Sequence, residues 1–200
     1  MLRGLEGRRI ALTATHDDAV SQQRTEVVRR VLGQAGAQVD ILVPGQASGE
    51  EWHGGRYAAL VAIGSEGGRG SHHPQLEQLL REFLVSEKPV AATGDALDVT
   101  VRAGGAGGRT LAAHAALRPA VKAAGGKSVD EPIHVDGCLI SATSAADIEV
   151  LAAQIVREFA THLDERNVDE MSEQSFPASD PPSTTPGSIG PAPDRDSAAP

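Results

Sequence analysis

Several things are scarce in this chain. A single cysteine, Cys138, in 200 residues leaves nothing to pair with in an intramolecular disulfide, and it fits a reducing compartment. One Trp, one Tyr and three Phe offer no row of stacking platforms for single-stranded nucleic acid, and they leave the core to Val, Leu, Ile and Ala. Eighteen Lys and Arg stand against twenty-seven Asp and Glu, a net charge of −9. With no basic cluster, a nucleic-acid surface is not expected. No apolar run approaches the roughly 20 residues of a membrane span, and Met1-Leu2-Arg3-Gly4 does not open a secretory leader. No membrane contact is expected, and the cytoplasm is the expected location.

Acidity and proline are unevenly placed. Residues 169–200 hold six carboxylates and one arginine, and seven of the twelve prolines fall between Pro177 and Pro200 among Ser, Thr, Gly and Asp. Such a segment buries too little apolar surface to offset its ordering entropy. The chain therefore divides into a globular domain over 1–167, closing near Leu163, and a disordered Pro/Ser/Asp-rich tail over 168–200. Within the tail, Ser175 to Pro182 is less random, and Phe176 offers an anchor for a peptide-type partner. The plainer reading is a linker.

The remaining sequence alternates strand and helix. Ile10 to Thr13 is an apolar run suited to a buried strand, and Val27, Val28, Val31, Leu32 and Ala35 then share a helical face ending at Gly36. Val39 to Val43 and Tyr57 to Ile63 read as further strands. Pro74 suits the first position of a helix that turns Leu76, Leu79, Leu80 and Phe83 inward. Later come a short helix over Ala96 to Ala103, a strand at Thr110 to Ala112, a helix over Ala116 to Ala124 and a hairpin signal at Asp136-Gly137. Ser144-Ala145-Ala146-Asp147 has the form of a capping box opening a last helix. The order predicts an α/β fold, a three-layer α/β/α sandwich around a mostly parallel sheet.

One stretch carries more than fold. Lys88-Pro89-Val90-Ala91-Ala92-Thr93-Gly94-Asp95-Ala96 reads as a buried strand running through a sharp turn into a helix, where α/β enzymes seat a nucleophile on a positive-φ residue. The turn residue here is Gly94, which takes positive φ freely and has no side chain to attack with. The order of motifs over residues 8 to 160 resembles the DJ-1/PfpI family, class I glutamine amidotransferase-like proteins with a flavodoxin-like sheet. There the elbow reads Ala-Ile-Cys-His-Gly, against Ala92-Thr93-Gly94-Asp95-Ala96 here. Lys-Pro-Val-Ala-x-x-Gly-Asp-Ala is most similar to the C-terminal accessory domain of large-subunit catalases, which has the fold without the Cys-based chemistry.

The resemblance implies a set of pocket residues. It puts an acid near Asp17, in the loop Ala14-Thr15-His16-Asp17-Asp18, facing the elbow where relatives carry Glu; Asp is shorter by one methylene, about 1.5 Å. It implies an oxyanion-donating amide in the turn at Gly67-Gly68, which tight turning also explains, and a histidine by the cleft at His114. The plainer readings are a solvated loop for Asp17, a helix cap for Asp95, inward packing for Thr93 and a backbone-bonded imidazole for His114. His72-His73 reads as solvated, and Cys138 as an inert thiol in an apolar strand. Two carboxylates after the first strand would repel a phosphate, so no flavin or dinucleotide cofactor is expected. The spacing of Asp17, Asp95 and His114 demands no metal.

Three functions follow. The first is a non-catalytic module that binds a small polar ligand, self-associates, or acts as a stabilising, chaperone-like stress component. The second is a hydrolase, lyase or deglycase-type enzyme using Asp17, Asp95 and His114 as acid and base. The third is an oligomeric adaptor that recruits a partner through its tail.

Overall fold

The computed structural model describes residues 4–45, 52–65 and 72–175, with 167–175 as helix backbone only. Gly67, Gly68 and the segment from Phe176 onward lie outside the described residues. Strands β1 (Arg9–Ala14), β2 (Gln38–Leu42), β3 (Ala59–Ile63), β4 (Val90–Thr93), β7 (Ile133–Asp136) and β8 (Leu139–Ala142) form one sheet in the order β2-β1-β3-β4-β8-β7. All pairings are parallel except β7 with β8, the hairpin seen in the sequence, which turns through Gly137 at φ 59°. Cys138 follows Gly137 in that turn rather than lying in a strand.

Side-chain alternation explains why both faces of the sheet are covered. Ala59, Val61 and Ile63 of β3, with Ile10, Leu12 and Ala91, pack beneath α1 (Ala19–Gln34) and α5 (Ile148–Ser175). Leu60 and Ala62, with Ala11, Val90 and Ala92, meet α2 (Pro74–Val85) and α3 (Ala96–Arg102) on the other side. Period-2 strands buried on both faces are what a parallel sheet between helical layers requires. This is the three-layer α/β/α sandwich with a flavodoxin-like strand order. A small second sheet pairs β5 (Thr110–Ala112) with β6 (Lys127–Val129) on either side of α4 (Arg118–Ala123).

Helix ends follow local chemistry. Asp18 caps α1 by accepting from the Ser21 amide at 2.8 Å, which holds its carboxyl below the usual carboxylate range. Gly36, just past the end of α1, takes φ 96°, as a helix C-terminus favours. Pro74 opens α2, and Leu76, Leu79, Leu80 and Phe83 are buried as their spacing predicts.

Three details differ from the sequence reading. β6 carries no sequence signal, because Lys127-Ser128-Val129 shows no apolar alternation. Ser144 Oγ accepts from the Ala146 amide at 2.9 Å, and α5 begins only at Ile148, four residues after it. α5 continues to Ser175, inside the segment assigned to the tail from 168, because Val168 to Gln174 are proline-free and rich in helix formers.

Candidate functional site

The site is built where β1, β3 and β4 end side by side. Gly94 links β4 to α3 at φ 54°, so the strand-to-helix elbow predicted from sequence is present. The elbow is also closed. A Cβ on Gly94 would overlap the Ser65 carbonyl oxygen and lie 2.9 Å from both the carbonyl carbon and oxygen of Gly64. A Cβ on Gly64 would in turn overlap the Thr93 carbonyl, the Ala96 amide and the Asp95 carboxylate. Two glycine backbones thus pass at van der Waals distance, and neither position has room for a side chain.

Asp95 is fully buried at this crossing. It occupies the N-cap position of α3 but makes no side-chain cap hydrogen bond, contrary to the capping role read from sequence. Its carboxylate reaches back toward the sheet instead. Oδ1 accepts from the Ser65 amide at 2.9 Å and the Thr15 hydroxyl at 2.6 Å, and Oδ2 lies 2.7 Å from His16 Nε2. The Asp95 amide donates to the Ser65 carbonyl at 3.0 Å, and the Thr15 amide to the Ile63 carbonyl at 2.9 Å. These bonds hold the loops after β1 and β3 against the elbow. Thr93 is buried, and its hydroxyl accepts from the Gly64 amide at 3.2 Å, a structural tie rather than an activated nucleophile.

Asp17 and His114 do not join this cluster. Asp17 is exposed and accepts from Gln22 Nε2 at 2.8 Å. His114 lies in the loop after β5, with its carbonyl accepting from the Leu117 amide at 2.9 Å and its Nε2 buried without a partner among the described residues. Among the described residues no hydrogen bond or ion pair links either side chain to Asp95, so the expected acid, imidazole, acid grouping is not assembled by direct contact. The imidazole beside Asp95 belongs to His16. Sequence reasoning passed over it in favour of the adjacent acid, although a Thr-His pair directly after the first strand was the available signal.

His73, expected to be solvated, is half-buried, and its Nε2 is shielded from solvent with no hydrogen-bond partner among the described residues. Burial lowers its pKa from the ordinary 6.5, opposed by the charge of Asp95 and a hydrogen bond with the Thr15 backbone and reinforced by His16 and Arg102. Thr15, His16, Asp17, Glu26 and His73 line one side of a cleft of about 310 Å³, and Ile41, Leu42, Val43 and Pro44 form its apolar wall. Among the described residues no three His, Cys, Asp or Glu side chains converge as a metal site requires.

A family model described as DJ-1/PfpI matches residues 8–158. The chain belongs to the DJ-1/PfpI family. Solved structures carry the same fold. A two-domain protein from Anabaena variabilis, with DJ-1/ThiJ/PfpI-like and ferritin-like domains, is 21% identical with a TM-score of 0.61. The match covers 76% of this chain and 48% of that one, so this DJ-1/PfpI chain spans about half of that relative. A ThiJ/PfpI domain protein from Brachyspira murdochii is 13% identical, with a TM-score of 0.61 and coverage of 81% and 99%. Drosophila melanogaster DJ-1beta is 17% identical, with a TM-score of 0.59 and coverage of 82% and 98%. The comparison with curated proteins returned no match. Among the described residues no helix is long and apolar enough to cross a membrane.

Proposed function

We propose that this DJ-1/PfpI protein is a non-catalytic module that binds a small polar ligand in the cleft beside His16. The observation that carries the reading is the closed elbow. In this proposal Gly94 stands where relatives hold their nucleophilic Cys, and the Gly64-Ser65 backbone occupies the space a thiol would need. Asp95 supports the reading, because a carboxylate with three donors on its two oxygens is spent on structure. The likeness of Lys88 to Ala96 to the accessory domain of large-subunit catalases adds a role in stress physiology to the proposal, as a stabilising component.

The experiment is a steady-state turnover assay of the full chain on small aldehydes and activated esters. The expected result is no rate above buffer, and sustained turnover overturns the proposal. One observation favours a second reading. The 2.7 Å contact from His16 to a buried carboxylate is the base-and-orienter half of a hydrolytic site. Turnover abolished by His16→Ala would select that reading.

A further inference from the structure

We propose that the cleft selects a small primary amine with an apolar body, its ammonium group facing the Asp17 carboxylate beside His16 and its body lying on the Ile41 to Pro44 wall. The inference rests on the binding reading above and adds the chemical class of the ligand.

The hydrogen-bond inventory leads to this class. Asp95 Oδ1 takes two donors, the Ser65 amide and the Thr15 hydroxyl, which marks the group as an acceptor on that oxygen. Its Oδ2 then receives the Nε2 proton of His16 at 2.7 Å. His16 turns its Nε2 to Asp95, and its side chain is 34% exposed where it lines the cleft. Asp17 lines the same cleft, and its only hydrogen bond among the described residues comes from the uncharged Gln22 amide. Glu26 adds little charge, since both its oxygens go to Arg29. No Lys or Arg is among the described lining residues.

Among the described lining residues a carboxylate or phosphate meets the Asp17 charge, with Asp95 behind His16, and no Lys or Arg. An ammonium group meets the exposed Asp17 carboxylate as a charge of opposite sign. The apolar wall requires the rest of the ligand to be hydrocarbon. Ile41 is 47% exposed on that wall, a large aliphatic left uncovered at the mouth of a concave surface. At about 310 Å³ the cleft sits at the small end of the roughly 300–1,000 Å³ range of small-molecule sites, which fits a ring or short chain better than a nucleotide.

The test uses three probes of one skeleton, benzylamine, benzyl alcohol and benzoate, titrated into the full chain at pH 7 while Ile41 methyl and His16 ring resonances are followed by NMR. The expected result is benzylamine binding at least about tenfold more tightly than benzoate. Asp17→Asn, an exposed substitution, is expected to weaken benzylamine by about three- to tenfold and to leave benzyl alcohol unchanged. Benzoate binding as well as or better than benzylamine, or an Asp17→Asn variant with unaltered amine affinity, overturns the amine assignment while the cleft remains a binding site. Failure of all three probes to move either resonance overturns the binding reading itself.

Discussion

Asp95 and His73 are polar side chains drawn inward for different reasons, and their energetics differ accordingly. Asp95 is paid for by the Ser65, Thr15 and His16 donors. His73 has a shielded Nε2 without a partner among the described residues, and burial depresses its pKa below 6.5. Between that lowered value and 6.5 the unfolded chain binds more protons at this position than the folded one. The His73 contribution to stability is therefore fully present above pH 6.5 and is lost as pH falls through the folded pKa. Thermal melts between pH 7.5 and 5.5 should show a shallower loss of Tm for His73→Asn than for the parent chain. Equal slopes would mean that the imidazole is not desolvated. At this scale the sequence was half legible. Gly94 could be placed because a strand-to-helix turn demands positive φ. The partner of Asp95 could not be read, because whether Thr15-His16 or Asp17 faces the elbow depends on where β1 ends, and that is set by the Thr15 amide bonding to Ile63.

Between elements, the turn from α2 to β4 is the strained joint. Glu87 has φ 52°, the one non-glycine residue with positive φ among those described. The Ser86 and Glu87 carbonyls left over at the end of α2 are met by α5, with Arg166 Nη1 donating at 2.8 and 3.0 Å and His162 Nε2 lying 3.0 Å from the Glu87 oxygen. Because these contacts go to backbone oxygens, Glu87→Gly keeps them while relieving the left-handed strain. The substitution should raise stability by about 0.5–1 kcal/mol, read as an increased denaturation midpoint. A lowered midpoint would place the value of this joint in the Glu87 side chain. Long periodic elements such as α2 and the buried β3 were legible because burial imposes their pattern. The short β6 and the true start of α5 were not, since pairing with β5 and a local Ser144 turn decide them without any apolar period.

For the whole molecule, the strand order places the His16-Asp95 pair where loops leave the carboxyl ends of neighbouring parallel strands, the usual position for ligands in open α/β sheets. The DJ-1/PfpI framework is thus present while its elbow is packed shut. In the proposed reading, that closure is what distinguishes a binding module from a hydrolase. The most direct measurement is the thermal unfolding of Gly94→Cys. The closed elbow predicts a cost of about 2–5 kcal/mol from left-handed strain and overpacking, a fall in Tm of about 5–15 °C. An unchanged Tm would contradict it, showing that the turn has room for a thiol at Gly94.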